Sequence, residues 1–151
     1  MTTSKEDFYK FAKLMGKDST LLYKHQSLHN SVYFAGYVLE AYIKIILIHH
    51  GDENFIGHLG DKNFLDKINH LIEDNLYPNF FDNSILKKKS EQIPKKLFDG
   101  SNKTTKAKWN INSRYQVTHW IDEKFAENIQ EELKNIRTAL AKLRIDGVIS
   151  C

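Results

Sequence analysis

Cysteine occurs once, at Cys151, so the chain can close no intramolecular disulfide and cannot assemble a multi-cysteine metal site. Proline is limited to 2 residues and glycine to 7, while charged residues make up 27%, which excludes collagen-like and fully disordered chains. Long apolar runs are also missing. The most apolar stretch, Val32 to Ile48, contains Glu40 and Lys44 and falls short of the roughly 20 apolar residues of a bilayer span. The start, Met1 to Asp7, carries acidic residues and no apolar h-region, so no secretory signal is read there and a cytoplasmic location with no membrane partner is expected. None of the G-x-x-x-x-G-K-[ST], G-x-G-x-x-G or G-x-S-x-G patterns occurs, which removes the common sequence grounds for an NTPase, a dinucleotide enzyme or an α/β hydrolase.

What is present suits one packed domain spanning 1–151: 151 residues, 41% of them hydrophobic, without an internal repeat or a low-complexity linker. The formal net charge of +3 is unevenly spread. Between Lys87 and Lys108 stand Lys87, Lys88, Lys89, Lys95, Lys96, Lys103, Lys106 and Lys108 against only Glu91 and Asp99, so the rest of the chain is net acidic. The segment 87–113 therefore reads as a basic, loop-rich insert in the domain. It is able to attract phosphates and equally able to be a solvated surface.

Apolar spacing predicts helices throughout and no strand. Ser4 and Asp7 form a capping-box pattern ahead of Phe8, Phe11, Ala12 and Met15, a short first helix ending at Gly16. The polar cluster 17–20 offers a new cap for a long helix reaching His50 and Gly51, with a break near Leu28 to Asn30. In it Val32, Ala35, Leu39, Ile43, Ile46 and Leu47 form a core stripe. Tyr33, Tyr37, Glu40 and Lys44 form a second stripe, Glu40 and Lys44 being spaced for an i,i+4 ion pair. Gly36 would let another helix come close, and Gly51 is placed to end the helix. A third helix is expected over 61–75 with Phe64, Leu65, Ile68, Leu71 and Ile72 inward and Pro78 as its stop, and a short fourth over 85–92. The last carries Ile121, Phe125, Ile129, Leu133, Ile136, Leu140 and Leu143, with acidic residues first and basic residues last, as the macrodipole prefers. The fold class is thus all-α, a bundle of four to five helices with a long C-terminal helix.

The stretch Asn30 to Lys44, which includes Ala35-Gly36-Tyr37 followed by Glu40 and Lys44, resembles the signature helix of the HEPN superfamily. His58-Leu59, and Trp109 followed by Arg114-Tyr115 ahead of the terminal helix, add to that resemblance. It implies a HEPN-like helical bundle, a homodimer, and a place in prokaryotic toxin–antitoxin or defence systems, often beside a nucleotidyltransferase partner protein. Many such proteins are metal-independent ribonucleases using an R-x(4-6)-H motif, and Arg114-Tyr115-Gln116-Val117-Thr118-His119 is of this form. The residue types suit the chemistry. Arg114 can hold a phosphate and the charge that builds on it, and His119 can exchange a proton with a ribose 2′-hydroxyl, with no metal and no cofactor required.

Tyr115 stands where active relatives often carry a polar residue. In a regular helix Arg114 and His119 would lie roughly 140° apart around the axis, so their convergence needs a loop or a dimer. The apolar repeat from Ile121 places the start of the last helix near His119, where the dipole would favour neutral imidazole. Tyr33, Tyr37, Glu40, Lys44, Tyr115, Lys106 and Lys108 form the candidate substrate-binding set. Each has a structural counterpart reading as packing, ion pairing or solvated surface, and Arg114 could equally tie its loop to Glu40. His25 and His29, and His49, His50, Asp52 and His58, are spaced loosely for zinc but lack a third ligand at fixed spacing, so no metal site is assigned. Two readings stand: an endoribonuclease acting through Arg114 and His119, or a catalytically silent RNA- or protein-binding module paired with a nucleotidyltransferase.

Overall fold

The structure, a computed structural model, describes residues 3–51, 57–58, 61–74, 77, 80 and 122–151, with the side chains at 62, 65, 69, 72 and 73 outside that description. Four helices stand among these residues: α1 (Lys5–Lys24), α2 (Leu28–His49), α3 (Lys62–Glu73) and α4 (Glu123–Ile145), and no strand is present among them. The fold class is all-α, as the apolar spacing predicts. The fourth helix expected over 85–92 and the basic segment 87–113 lie outside the described residues.

α1 starts where expected: the Ser4 hydroxyl accepts from the Asp7 amide at 3.1 Å, and the Asp7 carboxylate accepts in return from the Ser4 amide at 3.0 Å. It does not stop at Gly16. The helix runs on to Lys24 because Gly16 is buried against α2, with the Val38 Cγ2 methyl 3.7 Å from where a Cβ would sit, so the glycine serves helix contact instead of termination. The turn comes at His25 to Ser27, where Gln26 takes φ 62°, and α2 begins at Leu28. Ser19, expected to cap a second helix, lies inside α1. Its hydroxyl donates to the Ser31 carbonyl at 2.7 Å and the Ser31 hydroxyl donates to the Ser19 carbonyl at 2.8 Å. With both protons so used, both oxygens accept from the Gln130 amide of α4, at 2.9 and 3.0 Å, and Thr20 donates to the Gln130 carbonyl at 3.1 Å. Three helices are thereby held in register by a buried, satisfied polar knot.

α2 is the central element and is buried nearly all round, beyond the single core stripe that the sequence predicts: Val32, Ala35, Val38, Leu39, Ile43, Ile45 and Ile46 are fully enclosed. Each such Ile or Leu contributes on the order of 2 kcal/mol by leaving water. Contrary to the expectation that no stretch suffices, α2, which starts at Leu28, is by length and apolar composition the one described helix able to cross a membrane. Most of it is nevertheless covered by the other helices, as expected of a core helix. Gly51, at φ 89°, ends it as expected, its amide bonding the Ile48 carbonyl. From α3, Phe64, Ile68 and Leu71 point inward as expected, whereas the side chains of Leu65 and Ile72, and Pro78, lie outside the described residues.

α4 packs Ala126, Ile129, Leu133, Ile136 and Leu140 into the core. Its first residue is Glu123, not a residue near His119: Asp122 is extended and its carboxylate accepts from the Phe125 amide at 2.7 Å, which caps the helix there. His119 itself lies outside the described residues. At the other end Gly147, at φ 72°, closes α4 with Val148 bonded to the Leu143 carbonyl and Gly147 to that of Arg144, and Ile149 folds back into the core.

Candidate functional site

The second stripe of α2 is where charge enters the core. Glu40 is 6% exposed at its side chain, Lys44 13%, and the Lys44 ammonium donates to Glu40 Oε1 at 2.8 Å, as the i,i+4 spacing predicts. Phe8 of α1 lies under the ammonium, its ring centroid 5.5 Å away. One turn earlier on α2, the Tyr33 and Tyr37 hydroxyls are 2.7 Å apart and their rings meet edge to face, and Phe11 of α1 packs edge-on against Tyr37. The four stripe residues therefore share one face of α2, and α1 covers it. Tyr33 and Glu40 are buried, while Tyr37 and Lys44 are half-buried.

A third group completes the charged cluster: His58, which the sequence offered only within the family resemblance and a loose zinc grouping, has its Nδ1 3.1 Å from the same Glu40 Oε1. The loop holds His58 by a reciprocal turn, its amide donating to the Asp61 carboxylate at 2.8 Å and its carbonyl accepting from the Asp61 amide at 2.9 Å. A carboxylate only accepts, so the neutral imidazole bears its proton on Nδ1 and leaves the Nε2 lone pair open to a proton. At 48% side-chain exposure His58 is the point where the cluster meets solvent. Chemically, Glu40 is an orienter, His58 an imidazole at the surface, and Lys44 a half-buried counter-charge. Spacing places His58 near no other site residue, and only its contact through space with Glu40 identifies it.

Arg114, His119, Tyr115, Lys106 and Lys108 lie outside the described residues, as do Trp109 and Trp120. Asp52 of the second loose histidine grouping lies outside the described residues, and the described histidines do not assemble as the spacing allows. His25 is the C-cap of α1 and His29 sits in the first turn of α2, so they share no helix face. His49 and His50 stack edge-on with each other and with Tyr77, while His58 turns to Glu40. Burial, Lys5 and the neighbouring His50 all push the His49 pKa down. Among the described residues no group of three or more His, Cys, Asp or Glu is placed to hold a metal ion.

A second polar feature lies across α1, α2 and α4. Lys13, Lys134 and Arg137 line an open cleft of about 430 Å³ together with Tyr9 and Tyr42. In sequence, Lys134 and Arg137 read only as charges complementing the helix dipole.

No family model, no curated protein and no solved structure matches this chain.

Proposed function

We propose that this chain is a HEPN-like protein acting on RNA as a metal-independent endoribonuclease, with Arg114 holding the scissile phosphate and His119 exchanging the proton. The observation that favours this reading is the Glu40–His58 pair: a buried carboxylate orienting a half-exposed imidazole, 3.1 Å apart, on the helix whose sequence resembles the HEPN signature. Cleavage of this type needs one group to take the 2′-hydroxyl proton as that oxygen bonds to phosphorus, and another to protonate the 5′-oxygen as its bond to phosphorus breaks. The product is a 2′,3′-cyclic phosphate. Two histidines and one arginine suffice for that sequence, and His58 is a described histidine held in the tautomer the first step requires. The lysines of 87–108 supply backbone attraction.

A second reading is favoured by the Glu40–Lys44 contact. Both charges are largely out of water and bonded to each other, as in a structural ion pair, and such a domain would serve as a silent module pairing with a nucleotidyltransferase.

The test is cleavage of labelled total RNA and tRNA in EDTA by wild type, Arg114→Ala and His119→Ala proteins of equal helicity. Cleavage lost in both variants is the expected result. Activity retained in Arg114→Ala overturns the assignment, and a folded wild type that does not cut moves the function to the silent module.

A further inference from the structure

The cleft between α1, α2 and α4 has the composition of an anion site. Three cations from two helices line it, Lys13 from α1 and Lys134 and Arg137 one turn apart on α4, and no carboxylate is among its lining residues. Nor does any described carboxylate make an ion pair with these three, although Lys10, Lys44, Lys124 and Lys142 all have one. Like charges gathered a turn apart repel, and among the described residues no carboxylate is paired with them.

Tyr42 supplies the polar floor. It is only 4% exposed, and Arg137 lies close enough for its charge to act on the phenol. A phenol that keeps its proton can give it to an acceptor. Burial pushes the Tyr42 pKa up to about 12, against the pull of Arg137, which keeps the proton in place at neutral pH. Tyr9, also in the lining, carries over its ring at 3.9 Å the Arg144 guanidinium, which itself donates to the Cys151 carbonyl at 2.8 Å. The charged groups that line the cleft are all cations and the Tyr42 phenol can donate beside them, the complement of a tetrahedral oxyanion. A volume of about 430 Å³ exceeds what one inorganic ion fills and falls in the range of small-ligand pockets.

We propose that this cleft binds a small phosphate monoester of mononucleotide size, its phosphate held by Lys13, Lys134, Arg137 and the Tyr42 hydroxyl, and its organic body lying along Tyr9. The site is built from residues separate from Arg114, His119 and the Glu40 cluster, so it stands or falls apart from RNA cleavage.

The experiment is calorimetric titration and thermal melting of the full chain with adenosine 5′-monophosphate, inorganic phosphate and adenosine, at ionic strength held constant with chloride. Saturable binding of the monophosphate is expected, with phosphate alone weaker and adenosine without effect. In a Lys134→Gln/Arg137→Gln variant the monophosphate affinity should fall at least ten-fold with unchanged circular dichroism. Both residues are exposed, the circular dichroism checks the fold, and Lys13→Gln on the other helix gives an independent second reading. No saturable effect of either anion, adenosine binding as tightly as its monophosphate, or full affinity in both variants would overturn the proposal.

Discussion

Glu40 Oε1 is shared by two donors, Lys44 Nζ at 2.8 Å and His58 Nδ1 at 3.1 Å, and this one oxygen ties the core helix to the loop before α3. Glu40→Gln should destabilise the protein by about 3 kcal/mol, the low end for breaking a buried pair, because Lys44 keeps some contact with solvent. Glu40→Leu/Lys44→Leu should be more stable than Glu40→Gln, since it buries no uncompensated charge. Urea midpoints at pH 7 distinguish these outcomes, and equal midpoints for wild type and Glu40→Gln would refute the coupling.

The Ser19–Ser31–Gln130 knot should behave as a unit. Gln130→Ala leaves both hydroxyl oxygens one partner short and should cost about 1–2 kcal/mol. Ser31→Ala in that background should cost less than it does in wild type, because the two changes share one network. Additive effects in a double-mutant cycle would contradict the shared network.

Two glycines should respond oppositely to alanine. At Gly16 the new methyl meets Val38 at an ordinary 3.7 Å inside a helix, so Gly16→Ala should stabilise by about 0.5–1 kcal/mol. At Gly147 the φ of 72° is strained for any side chain, so Gly147→Ala should destabilise by about 1 kcal/mol. Melting temperatures shifting in the same direction would show that one of the two backbone assignments is incorrect.

His49 gives a pH dependence of known sign. Its folded pKa lies below the ordinary 6.5, so between the two values the unfolded chain binds more protons. Its contribution to stability is therefore complete above pH 6.5 and is lost as pH falls from 6.5 through the depressed folded value. His49→Gln should flatten the loss of stability between pH 7 and pH 5 in denaturant titrations, and an unchanged slope would exclude His49 as a source.

Elements with long apolar periods were legible in the sequence. The spacing from Ile129 to Leu143 defines α4, Phe64, Ile68 and Leu71 define α3, and Glu40 with Lys44 predicts their ion pair. Boundaries were less legible. Gly16 carries the same local signal whether it ends a helix or lets one pass, and only the approach of Val38 decides. For α4 the apolar repeat extends to Ile121, but the cap at Asp122 sets the start.

The all-α class, the order of the helices and the internal ion pair of α2 follow from residues three and four apart, because the geometry of a helix is local and its period is written along the chain. The pairing of His58 with Glu40, the knot joining Ser19 and Ser31 to Gln130, and the convergence of Lys13 with Lys134 and Arg137 were decided by tertiary structure alone. Those partners lie on different elements. Only the packing of α1 and α4 on α2 and the turn before α3 bring them within a few ångströms, where hydrogen bonding and charge act.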